Sequence, residues 1–396
     1  MIQISPETQL FIREHSSDDV RTLALQAKKY PDINMPTAIT QIAGRQVAAE
    51  KIPSWREMEE IWYPKHLSLE QCSSEITARY KARLLQGDSL TDLTGGFGID
   101  CSFLATGFKS ATYVERQEEL CEIAAHNFPI LNLNHINVRN EDGVAYLQTM
   151  SPVDCIFLDP ARRNEHGGKT VSIADCEPNV AELEDLLLSK ASRIMIKLSP
   201  MLDLSLALKE LKHTQEVHIL SVNNECKELL ILLGQTSPAE IAIHCVNLFT
   251  KGTQEEQHFV FTREQEQRSQ CTYTDSLGDY LYEPNASLLK AGAFRSIAAA
   301  YPVRKLHPNS HLYTSDTFIE NFPGRIFRIV NQCSFNKKEV KENLADLKKA
   351  NVTVRNFPAT VAELRKRLHL TEGGDTYLFA STLNNGQKVI IRCEKV

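Results

Sequence analysis

The chain has 396 residues, of which 42% are hydrophobic, 24% charged and 7% aromatic, and its formal net charge is −6. That balance excludes a disordered or membrane-embedded chain, and the length exceeds what one ordinary core fills, so two or three domains are expected. The charge is uneven: residues 325–396 hold 14 Lys and Arg against 7 Asp and Glu, a surplus of +7, whereas residues 1–324 hold 30 against 43, or −13.

No apolar run approaches the roughly 18 residues of a membrane span, and the N-terminus has no basic segment followed by an apolar one, so a cytoplasmic protein is expected. The ten cysteines form no CxxC pair and the histidines show no metal spacing, which predicts reduced, mostly buried thiols and no metal. Residues 1–85 contain helical patterns at 20–29 and 73–85, joined through Pro31, Pro36, Pro53 and Pro64. They read as an N-terminal helical cap.

From residue 86 to about 250 short apolar runs alternate with stretches of helical period, the pattern of an α/β domain with a mostly parallel, doubly wound sheet. Seven strands are predicted at 89–93, 111–115, 136–138, 153–158, 193–198, 217–222 and 228–233. The last two flank Asn223-Asn224, which tolerates positive φ, so they are expected to pair as an antiparallel hairpin. Such a hairpin separates a methyltransferase sheet from a plain dinucleotide-binding one. The polar stretch 254–274 reads as the exit from this domain, and 251–321 as a linking segment. Residues 322–396 read as an α+β module with helices at 337–349 and 361–368 and strands at 352–356, 377–381 and 388–393.

Asp92, Leu93, Thr94, Gly95, Gly96, Phe97, Gly98, Ile99 and Asp100 place a glycine loop between the first strand and a helix. Glycines there let the backbone approach a ligand, and the helix start offers N–H groups to a carboxylate or phosphate. Cys101 stands where a dinucleotide fingerprint needs its third glycine, and an acid four residues before Gly96 suits the cationic end of S-adenosylmethionine (SAM). Glu115 ends the second strand and can accept from both ribose hydroxyls. Asp142 follows the third strand, where it can accept from an adenine amine or cap a helix.

The fourth strand ends in Asp159, Pro160, Ala161, Arg162 and Arg163, beside the switch point of an open sheet. Asp159 and the carbonyl beside Pro160 can orient an amine acceptor by taking its N–H groups, and Arg162 and Arg163 can bind a phosphate or base edge. Lys197, at the end of the fifth strand, is a candidate substrate contact or a solvated rim lysine. No cysteine stands at the fifth strand's end, which favours methylation of nitrogen or oxygen over carbon 5 of a pyrimidine.

These motifs, with the 41–45 segment QIAGR, 72–81, and Leu281-Tyr282-Glu283-Pro284, resemble bacterial class I SAM-dependent methyltransferases that carry a C-terminal ferredoxin-like segment and THUMP-like domain. The resemblance spans nearly the whole chain. It implies a Rossmann-like sheet, SAM as cofactor, held by Asp92, Thr94, Gly96, Gly98, Glu115 and Asp142, and tRNA or another structured RNA as partner. Thr94 replaces the usual first glycine, and Ala161 stands where the common motif has a second proline with an aromatic after it. The methylated atom therefore stays open, as do a small-molecule or protein substrate and an RNA-binding protein with a vestigial SAM site.

Overall fold

In the N-terminal region of the chain, helices start where a capping side chain precedes a helix former. Ser5 caps Pro6–Glu14, Asp19 caps Val20–Leu25 and Asn34 caps Met35–Lys51, each accepting a first-turn N–H. Phe11, Ile12, Leu23, Met35, Ala38 and Ile42 close one small core between them. The predicted helix at 20–29 ends as a single 3₁₀ turn, Ala27–Lys29. The computed structural model describes residues 4–162 and 172–396. Two compact units divide the chain, Met1–Gln215 with Leu230–Pro238 and Glu216–Leu229 with Ala239–Val396.

A second core joins the helical region to the glycine loop. Trp55, Ile61 and Tyr63 pack with Phe97 and Ile99, and Trp55 meets Phe97 edge to face at 5.2 Å between ring centroids. The extended residues Trp62 and Tyr63 are gripped by two side-chain amides. Asn127 Oδ1 accepts from Trp62 N and its Nδ2 donates to Trp62 O, both at 2.9 Å, and Gln41 does the same for Tyr63. Each amide thus supplies the donor and acceptor that a neighbouring strand would otherwise provide.

The main sheet contains β1 (Ser89–Asp92), β2 (Ser110–Glu115), β3 (Ile136–Asn140), β4 (Val153–Leu158), β5 (Ala191–Leu198), β6 (Thr214–Val222), β7 (Glu225–Gly234), β8 (Ala242–Leu248) and β9 (Glu256–Phe261). Its order is β9-β8-β6-β7-β5-β4-β1-β2-β3. β1 to β5 pair in parallel. Their inner runs, such as Cys155–Leu158 in β4 and Ile194–Leu198 in β5, are buried throughout, as a sheet covered on both faces requires. Asn223 and Asn224 both have positive φ, 49° and 67°, in the two-residue turn between β6 and β7.

All seven predicted strands are present, and two more extend the sheet. β8 runs parallel to β6, and β9 runs antiparallel to β8. β9 lies inside the stretch that reads as an exit because it is a half-exposed edge strand, with Glu256, Gln257 and His258 among its six residues.

The second sheet contains β10 (Tyr280–Pro284), β11 (Arg304–Lys305), β12 (Tyr313–Ser315), β13 (Gly324–Ser334), β14 (Asn351–Val354), β15 (Thr376–Thr382) and β16 (Lys388–Lys395), in the order β11-β12-β10-β13-β16-β15-β14. Helices Lys337–Leu344 and Val361–Leu368 join it through a core that includes Leu344, Leu368, Leu378 and Ile390. The second begins at a capping box of Thr360 and Glu363. The first is shorter than the predicted 337–349, because Leu347 turns into the core and Lys349 bridges to Thr371.

Candidate cofactor and active site

Asp92, at the carboxyl end of β1, is 1% exposed. Its Oδ1 accepts from the Thr94 N–H at 3.0 Å, and its Oδ2 is buried with no partner. Burial pushes the carboxyl up to about 8, against the Thr94 bond, with Asp100, Asp159 and Glu115 adding repulsion. The loop that follows is packed from outside. A Cβ at Gly95 would lie 2.3 Å from the Tyr113 ring, and Gly96 and Gly98 have φ of 54° and 87°, which disfavour any side chain. Gly98 starts helix Ile99–Leu104.

Glu115 ends β2 and faces the loop, its Oε2 accepting from Gly96 N at 3.0 Å and its Oε1 from Gln117 N at 2.8 Å. Each oxygen retains a second lone pair for a ligand. Asp142 is exposed and caps helix Gly143–Thr149, accepting from Val144 N and Ala145 N at 3.0 Å each. The next residue has no room for a side chain, since a Cβ on Gly143 would meet the Leu93 carbonyl at 2.2 Å. The start of this helix is therefore pressed against the end of β1.

Asp159 directly follows β4, and its backbone N–H donates to Thr94 Oγ1 at 2.6 Å, tying the glycine loop to the carboxyl end of that strand. Lys197 is not a solvated rim lysine: it is 8% exposed and lies 2.5 Å from Asp159 Oδ2 and 3.2 Å from Asp100 Oδ2. Lys81, fully buried on helix Glu75–Ala82, reaches Asp100 Oδ1 at 2.9 Å. Ser73 sits at the centre, donating to Asp100 at 2.7 Å and accepting from Lys81 at 2.9 Å and Lys197 at 3.0 Å. Burial alone would raise Asp100, but the two ammonium groups hold it well below the usual carboxylate range. Asp159 ends up raised, because its burial outweighs the pull of Lys197.

Pro160 is buried beside Asp159, and Ala161–Arg162 pairs antiparallel with Cys176–Glu177. Arg163 and the side chain of Arg162 lie outside the described residues. All ten cysteines are free and none is exposed; burial pushes the Cys72 and Cys155 thiols up to about 11 and raises Cys101 well above the ordinary thiol value. Ser73, Lys81 and Asp100 are the residues that motif reading missed as a charged set.

Parallel strands ordered β3-β2-β1-β4-β5, a β6–β7 hairpin with β7 next to β5, a glycine loop after β1 and an acid ending β2 together define the class I methyltransferase fold. Residues 280–323 match the model of a ferredoxin-like domain, and residues 324–395 that of a THUMP-like domain. A candidate methyltransferase from Porphyromonas gingivalis W83 is 34% identical over 100% of both chains, with a TM-score of 0.87. The chain belongs to the family of that protein, bacterial class I methyltransferases with a C-terminal ferredoxin-like segment and THUMP-like domain.

An rRNA methylase from Streptococcus thermophilus is 14% identical, covering 40% of this chain and 93% of its own, with a TM-score of 0.29. A candidate methyltransferase from Streptococcus mutans, solved with S-adenosylhomocysteine, is 13% identical over 40% of this chain and 96% of its own, with a TM-score of 0.29. No curated protein sequence matches the chain.

Proposed function

We propose that the chain transfers the methyl group of SAM to a nitrogen or oxygen of a structured RNA such as tRNA or rRNA. The observation that carries the cofactor is the buried, unpartnered Oδ2 of Asp92 beside the glycine loop. A buried acid held partly protonated is the natural counterpart of a cationic amine, which restores the charge it has lost. Asp92 would take that amine, Thr94, Gly96 and Gly98 the amino-acid portion, Glu115 the ribose hydroxyls and Asp142 the adenine amine. When bound, SAM supplies a methyl group on a positively charged sulfur.

The chain's own part is alignment. Asp159 and the carbonyl beside Pro160 accept the N–H groups of the acceptor and fix the direction of its lone pair. Lys197 holds Asp159 in place, and Arg162 takes a phosphate or base edge. Ten buried or half-buried thiols argue for nitrogen or oxygen rather than a ring carbon that needs thiol attack.

The THUMP-like match and the exposed lysines of residues 337–366 support RNA as the partner. The supporting organisation is a helical region at 1–85, the methyltransferase domain at 86–250, a linker and ferredoxin-like segment at 251–321 and the THUMP-like domain at 322–396, in a cytoplasmic protein. Mass spectrometry of nucleosides in RNA from a deletion strain tests the proposal: one methylated nucleoside should disappear and return when the purified protein and SAM are added. An unchanged nucleoside profile would overturn the RNA assignment.

A further inference from the structure

Three histidines and a glutamate meet on β6, β8 and β9, in the unit that contains Ala239–Val396. Glu216 and His218 are two residues apart on β6 and so point to the same face, and His244 on β8 is the direct cross-strand neighbour of His218. Glu216 Oε2 lies 3.2 Å from His218 Nε2 and 3.7 Å from His244 Nε2, and one ligand atom from each of the three residues falls within 4.8 Å of the others. Bonds of 2.0–2.1 Å to a tetrahedral zinc ion put its ligand atoms roughly 3.3 Å apart, so the two shorter separations bracket that value.

The surroundings prepare His244 as a ligand. Its Nδ1 is 3.1 Å from His258 Nε2 on β9. With the proton on Nδ1, His244 donates to His258 and turns the Nε2 lone pair toward Glu216, the arrangement in which metal-binding imidazoles are held by an outer partner. The rings of His218 and His244 are stacked at 4.3 Å and 14°. A shared ion would draw them out of that stack until both lone pairs converge.

We propose that Glu216, His218 and His244 bind one divalent first-row transition-metal ion of the zinc type, with His258 orienting His244. Two imidazoles and a carboxylate select such an ion over calcium or magnesium, which prefer all-oxygen sets. The ion would clip β6 to β8 and keep a fourth position for water. Local sequence spacing hides the site, because its ligands come from two strands 26 residues apart in the chain.

The test uses full-length, metal-stripped protein without a histidine tag, titrated with Zn²⁺ by calorimetry and with Co²⁺ by visible absorption. The expected result is one equivalent bound, with the intense d–d bands of tetrahedral Co²⁺. Glu216→Gln, at a half-exposed position, and His244→Ala should each weaken binding at least tenfold, and His258→Ala by 10- to 100-fold. No binding by the unaltered protein, or equal binding by the Glu216→Gln and His244→Ala variants, overturns the proposal.

Discussion

The Lys197 ammonium and the Asp159 carboxylate approach to 2.5 Å at the ends of neighbouring strands β5 and β4. Lys197 also holds Asp100, the acid on the first turn of the glycine-loop helix. The group proposed to orient the methyl acceptor is thereby tied to the loop proposed to hold the cofactor.

Asp159→Ala should abolish methyl transfer while SAM affinity stays within a few-fold, because its proposed ligand is the acceptor rather than the cofactor. Single-turnover assays beside calorimetry separate the two effects. Parallel loss of SAM binding and turnover would make Asp159 a cofactor ligand instead.

Asp92 gives a pH dependence with a defined sign. Its folded value of about 8 lies above the ordinary carboxylate value, so stability from the protonated acid is present below about pH 4 and is lost as pH rises through 8. A cationic ligand needs the carboxylate, so SAM affinity should climb by up to about tenfold per pH unit toward 8. Above that the ligand's own amine, near 8, begins to lose its charge. Calorimetry across pH 6–8 checks this, and Asp92→Asn should flatten the rise. A steep rise that survives in Asp92→Asn would assign it to another group.

Glu115→Ala should weaken SAM roughly 5- to 150-fold, the cost of about 1–3 kcal/mol for losing hydrogen bonds to a charged, buried acceptor. The same change frees the Gly96 N–H that Glu115 holds. Unchanged affinity in a titration would remove Glu115 from the cofactor site.

Lys81 is fully buried, and its removal leaves Asp100 with Lys197 and the Ser73 hydroxyl. Breaking one partner of a buried ion set costs about 3–5 kcal/mol, so Lys81→Met should lower the urea midpoint markedly. A loss below about 1 kcal/mol would show the network to be energetically neutral. Both outcomes are read in equilibrium unfolding followed by circular dichroism.

RNA binding should be salt-dependent through the exposed Lys337, Lys338, Lys341, Lys348, Lys349 and Lys366. Arg365 and Arg367 leave that set, the first paired with Glu372 and the second stacked over the Phe335 ring. About four phosphate contacts on single-stranded RNA give a log–log slope near −3. Changing Lys337, Lys338 and Lys341 to Glu should flatten the slope by about 2 in filter binding of total tRNA; an unchanged slope would place the RNA elsewhere. Point variants suit this better than truncation, since β13 pairs with β10 across the 323/324 boundary.

The elements most legible in the sequence are those whose determinants are local. Helix Val361–Leu368 is announced by Thr360 and Glu363, and the Asp92 loop by a motif nine residues long. The ion network escapes such reading because Ser73 and Lys197 are 124 residues apart and only folding brings them together. Asp142 reads correctly as a cap, its Oδ1 accepting both first-turn N–H groups. β9 was hidden by its polar outer face, where alternation rather than hydrophobicity is the signal.

The amide grip on Trp62 and Tyr63 bears on how the chain is made. Trp62 leaves the ribosome early, yet the Asn127 side chain that satisfies its backbone lies 65 residues downstream. At a synthesis rate of about 5–20 residues per second, several seconds pass before that partner emerges. For roughly the first half of that interval the Trp55, Ile61 and Tyr63 side chains await Phe97 and Ile99 as well. The N-terminal segment is therefore a late joiner despite being translated first, and a nascent chain halted before Phe97 would present these apolar residues to chaperones.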